Sequence, residues 1–109
     1  MAATLKVLGQ SAPLAATLTT LYTVPAATNA VCSTITAANR SATATTFRIA
    51  VRPAGAAISN EHYLYYDIPI AGNATFAATI GMALETTDVV SCYSTLATVS
   101  FNLFGQEIT

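Results

Sequence analysis

Along this chain apolar and polar residues alternate in short stretches, and a turn signal ends each stretch after about ten residues. Alternation with period two sends successive side chains to opposite faces of an extended strand. The cleanest case is Thr46–Arg52, with Phe47, Ile49 and Val51 on one side and Arg48, Ala50 and Arg52 on the other. Val99–Phe104 turns Val99, Phe101 and Leu103 inward and Ser100 and Asn102 outward. His62–Ile68 predicts a strand with Leu64, Tyr66 and Ile68 on the core side, opposed by Tyr63, Tyr65 and Asp67. Further strands are expected at Thr4–Gln10, Ala16–Val24, Ala30–Ala38 and Val89–Ser94, and within Ala74–Leu84, where Phe76, Ala78 and Ile80 share a side. Pro13, Pro25, Pro53 and the Gly72-Asn73 pair separate these runs, because proline removes a ladder donor and glycine and asparagine suit tight turns.

Eight short strands without a helical period predict an all-β fold. We expect an antiparallel β-sandwich, with a jelly roll as one topology open to it. The chain has 109 residues, which implies one domain over 1–109, and residues 1–15 leave room for a short N-terminal arm. KVLGQ at 6–10 and NLFGQ at 102–106 are similar strings that could pair side by side.

Composition narrows the function classes. Hydrophobic residues make up 53% and charged residues 8%, which argues against disorder and fits a surface partly covered by partners. The net charge is −1 with no basic run, so no nucleic-acid partner is expected. No apolar run approaches the ~20 residues that cross a bilayer, so no membrane partner is expected. The N-terminal residues lack the pattern of a secretion signal, which predicts a protein made and used in a cytoplasm, or in an assembly built there. Cys32 and Cys92 are open to two readings, an inter-sheet bridge or two small buried thiols.

Candidate chemistry is sparse. The chain has a single histidine, His62, and odd spacing along a strand separates it from Asp67, so no catalytic residue, metal ligand or cofactor is expected. Asn39-Arg40-Ser41 and Asn73-Ala74-Thr75 match a glycosylation triplet by chance if the chain is not secreted. Three of the four basic residues, Arg40, Arg48 and Arg52, fall within Asn39–Gly55. Arginine's planar fork suits recognition of carboxylate or carbonyl groups, so these three are candidate partner contacts. The alternative is that they solvate a sheet face by pairing with Glu61, Asp67 or Glu85. Tyr63 and Tyr65 join the candidates as an outward stripe, for a protein contact or, alternatively, a sugar platform.

The strings TTLYTVPAATNAVCSTI, NRSATATTFRIAVRPAGAAISNEHYLYYD, LETTDVV and SFNLFGQEI, in a similarity that runs from about Leu18 to Ile108, resemble small virion structural proteins of tailed bacteriophages, including cyanophages. Ala37-Ala38 depart from a Val-Cys-like pair in that pattern. The resemblance implies a non-enzymatic virion component, here a capsid decoration or cement protein that binds the major capsid protein and reinforces the shell. A tail or baseplate protein, or a carbohydrate- or receptor-binding module, is the alternative. A homo-oligomer is expected, with a trimer on a local threefold axis as one form.

Overall fold

A computed structural model describes residues 2–109. Nine strands form two antiparallel sheets: β1 (Ala3–Ser11), β2 (Thr19–Thr23), β3 (Asn29–Asn39), β4 (Thr45–Arg52), β5 (Tyr63–Ile70), β6 (Thr75–Ala78), β7 (Met82–Leu84), β8 (Val89–Ser94) and β9 (Val99–Ile108). One sheet has the order β1-β9-β3-β6, with β7 also on β3; the other has the order β2-β8-β4-β5. The predicted all-β sandwich is therefore present. β6 and β7 correspond to the single run expected within Ala74–Leu84, broken at Thr79-Ile80-Gly81, and both pair with β3.

The pairs nest: β1 with β9, β2 with β8, β3 with β6 and β7, and β4 with β5. Nested pairs that alternate between two sheets have the strand order of a jelly roll. The outermost pair brings the chain ends together, with Ala2 N–H donating to Thr109 C=O at 2.9 Å and Thr109 N–H returning the bond at 2.8 Å. KVLGQ and NLFGQ do lie side by side, with Lys6 opposite Gly105 and Val7 opposite Phe104. Most of the segment considered as an N-terminal arm is thus the edge strand β1.

The core lies between the sheets. Phe47, Ile35, Ile49 and Leu103 are wholly buried. Phe47 packs on Phe76 and Phe101 at ring-centroid distances of 5.0 and 6.1 Å, tying β4 to β6 and β9. Ala37 is wholly buried, so the Ala37-Ala38 departure does reach the interior. Cys32 on β3 and Cys92 on β8 are buried free thiols. Burial pushes their pKa values up to about 11 and about 12.

The predicted faces of β5 need correction. Tyr65 turns inward and meets the Phe76 ring at 5.1 Å, while Leu64 and Tyr66 are exposed. Ile68 faces the core as expected. The cause is a break in alternation. On β4, Phe47 and Ile49 are two residues apart, yet their partners Ile68 and Tyr65 are three apart. The extra residue is taken up in a bulge where Asp67 adopts φ +50°, a left-handed conformation that aspartate tolerates better than most residues.

Candidate functional site

The two sheets present different outer faces. On the β2-β8-β4-β5 sheet, Arg48 lies directly opposite Tyr93 on β8. The β5 bulge brings Tyr66 and Asp67 to the same face. The Arg48 guanidinium sits 4.1 Å from the Tyr66 ring centroid and 4.3 Å from that of Tyr93. Its Nε donates to Asp67 Oδ1 at 2.6 Å and its Nη2 to Oδ2 at 3.3 Å. Tyr63 meets Tyr66 edge to face at 4.9 Å. The hydrogen bonds to Asp67 hold the Arg48 guanidinium in its charged form well above the ordinary arginine range.

The sequence candidates therefore divide. Arg48 and Tyr63 come together in this cluster, joined by Tyr66, Asp67 and Tyr93. Arg52 lies apart, donating through Nε to Ser91 Oγ at 3.1 Å and through Nη1 to the Gly55 and Ala56 carbonyls. Arg40 donates to the Ala97 carbonyl at 3.2 Å. Tyr65 belongs to the core, which corrects its expected outward position. All three arginines use their forks on this chain's own carboxylate, hydroxyl or carbonyl groups, and each thereby fastens a loop or neighbouring strand. Of the acidic partners considered for them, Asp67 alone is engaged, by Arg48.

The connection from Pro53 to His62 also folds back on this sheet. Its two 3₁₀ turns touch β8 and β4, and Ala50, on the same face as Arg48, is wholly buried. Asp88 fastens it further by accepting from Ala54 N–H at 2.9 Å. His62 serves local geometry, its Nδ1 accepting from Ser59 N–H at 3.1 Å. Asn39, in the first glycosylation triplet, is buried and donates its amide to the Thr43 and Ala71 carbonyls. Among the described residues, no three His, Cys, Asp or Glu side chains converge as a metal site.

The outer face of the β1-β9-β3-β6 sheet is bare by comparison. Its outward register runs through Leu5 and Val7 on β1, Asn102, Phe104 and Gln106 on β9, and Val31, Thr34 and Thr36 on β3. Thr75, Ala77 and Ala83 continue it across β6 and β7. None of these residues is charged. Leu5 is 81% exposed, and Leu5, Val31, Phe104 and Gln106, with Lys6 at the sheet edge, help line a shallow depression of about 340 Å³. The charges of this sheet point the other way. Lys6 Nζ donates to Glu107 Oε1 at 3.2 Å, and Glu107 Oε2 accepts from the Tyr22 hydroxyl of the opposite sheet at 2.6 Å. The Tyr22 bond holds Glu107 below the usual carboxylate range, and desolvation and Glu107 raise Tyr22 above the usual phenol range. Sequence reasoning missed this face, although part of its signal was present: alternation in Thr34–Ala38 and Val99–Phe104 set Thr34, Thr36, Ala38, Ser100, Asn102 and Phe104, none of them charged, away from the core, whereas Val31 joins them only through the register shift between Cys32 and Thr34.

The molecule is thus a two-sheet jelly-roll module, with the outer face of one sheet covered by its own loop and the outer register of the other open and without charged residues. No protein-family model matches the chain, and no curated protein or solved structure matches it.

Proposed function

We propose that this chain is a non-enzymatic structural protein of a phage particle, a decoration or cement subunit that grips the assembled shell. The carrying observation is the uncharged outer face of the β1-β9-β3-β6 sheet. An uncharged sheet face avoids the cost of desolvating ions on docking, and depletion of charge marks the centres of protein interfaces. The packed two-sheet core behind it keeps the ordering cost of docking low. The resemblance of the Leu18–Ile108 strings to virion structural proteins supports the same reading, and jelly rolls are common in viral shells, which is an argument by analogy. Docking by this face replaces the Arg40, Arg48, Arg52, Tyr63 and Tyr65 contact expected from the sequence, because the three arginines bond within the chain and the two tyrosines pack on Tyr66 and Phe76. Many copies on one shell add avidity to a modest single contact.

The test is quantitative mass spectrometry of the purified particle, counting this chain against the major shell protein. Hundreds of copies support decoration; a few tens move the chain to the tail or baseplate; absence refutes a virion role. Thr36→Glu with Gln106→Glu, two positions on the open face that are not register partners, should fold normally and be lost from the particle. A second reading has one observation in its favour. Asn60, Tyr63 and Tyr66 line a shallow cleft of about 340 Å³, where the tyrosines offer stacking surface for a sugar ring. Glycan binding by the pure chain, abolished by Tyr66→Ala, would establish it.

A further inference from the structure

A sandwich has four sheet edges, and an open edge is a template for another strand unless something blunts it. Three edges here are blunted. β5 carries Pro69 and the Asp67 bulge. β2 has only five residues, with an irregularity between Thr20 and Tyr22. The β6–β7 edge is interrupted at Thr79-Ile80-Gly81. The fourth edge is β1. Its register with β9 is regular from Ala3 to Val7, and those five residues are exposed.

The direction of the free backbone groups follows from the ladder. Ala2 and Thr109 exchange both hydrogen bonds, and antiparallel pairs alternate between bonded and non-bonded. Thr4 and Lys6 therefore bond to β9 through Glu107 and Gly105. Ala3, Leu5 and Val7 direct their N–H and C=O groups away from the sheet. Lys6 is the only charge on this stretch, and Glu107 neutralises it and draws it back over its own sheet.

We propose that the β1 edge pairs antiparallel with β1 of a second copy of this chain, about a twofold axis at Leu5. In that register Leu5 faces Leu5 of the partner copy, and Ala3 faces the partner's Val7, so every outward-directed backbone group meets another. Lys6 falls opposite Thr4 of the other copy, and no like charges stand directly opposed. A twofold contact needs this one edge used twice, whereas a ring built through strand edges needs a second open edge. The two open sheets join into one, and the uncharged face runs across both copies. The paired strip is only about 17 Å long at ~3.4 Å per residue. It falls short of the ~800 Å² per partner of a standard interface, so the dimer forms at high concentration rather than as an obligate pair. The inference rests on the edge alone and does not require the virion reading.

The experiment is sedimentation equilibrium of the full chain from micromolar to millimolar concentration, with three variants. The expected result is a rise from the 11.2 kDa monomer toward twice that mass. Leu5→Lys opposes two like charges on the axis, and Leu5→Pro removes an edge donor without touching a bond to β9; both should remain monomeric. Leu5→Cys should form a disulfide-linked dimer on mild oxidation, because a bonded antiparallel pair brings Cα atoms to about 5.5 Å, within disulfide reach. Thr4→Cys should not. The native thiols are wholly buried and stay out of this assay. A wild-type chain that is monomeric throughout overturns the proposal. So does dimerisation that survives both Leu5→Lys and Leu5→Pro, or equal cross-linking of Leu5→Cys and Thr4→Cys. If the wild type stays monomeric but Leu5→Pro lowers its copy number in the particle, the edge takes a strand from another protein.

Discussion

Replacing Arg48 with alanine separates an arginine that displays charge from one that holds the molecule together. The side chain is only 22% exposed, although it stands on an outer sheet face. Its removal takes away two stacking contacts with Tyr66 and Tyr93, at 4.1 and 4.3 Å. Each is worth about 0.5–1 kcal/mol where partly shielded from water. It also takes away the two-bonded pair with Asp67, whose 45% exposure holds its worth to about 0.5 kcal/mol. The sum is about 2 kcal/mol. With a urea slope of about 1–2 kcal/mol/M, the unfolding midpoint should fall by about 1–2 M. Arg48→Lys keeps the charge but loses the planar fork, and should recover less than half of the loss. Salt should weaken the Asp67 part and leave the stacking part, so the penalty persists at about 1 M salt, where the screening length is about 3 Å. Urea unfolding followed by tyrosine fluorescence measures all three. A shift below about 0.5 kcal/mol for Arg48→Ala, or full rescue by lysine, would refute a structural role for the cluster and return Arg48 to the pool of docking residues.

Phe47→Ala should cost about 3–5 kcal/mol, because the ring is wholly buried between Phe76 and Phe101; the milder Phe47→Leu should lower the midpoint in thermal unfolding without abolishing the transition. Glu107 titrates below its unfolded value near 4.3, so its contribution is complete above that pH and is lost as pH falls through the lower folded value. Stability measured from about pH 6 down to about pH 3 should therefore fall more steeply in the wild type than in Glu107→Gln, and equal slopes would sink this assignment. Cys32 and Cys92, buried and pushed up to about 11 and about 12, should resist a thiol reagent at mildly alkaline pH in the folded chain and both react in urea. Rapid labelling of either thiol in the native state would contradict the packing.

The sequence determined what local chemistry determines. Alternation in Thr46–Arg52 and Val99–Phe104 put Phe47, Ile49, Phe101 and Leu103 in the core, and Pro13, Pro25, Pro53 and the Gly72-Asn73 pair marked where strands end. The absence of a helical period left an all-β sandwich. The similar KVLGQ and NLFGQ strings even located one strand pair. Tertiary structure decided the rest. Alternation holds along a strand only while its register is unbroken, and the Asp67 bulge exists because β5 must match β4 across an odd residue. That bulge sent Tyr65 into the core and brought Tyr66 out to Arg48. The arginines clustered in sequence, but their partners Asp67, Ser91, Gly55 and Ala97 depended on which strands and turns became neighbours. The bare face of one sheet, the loop that covers the other and the open β1 edge are properties of strand order. They follow from long-range pairing: consecutive residues show that the outward positions of β3 and β9 lack charge, but not which strands join them or what covers them.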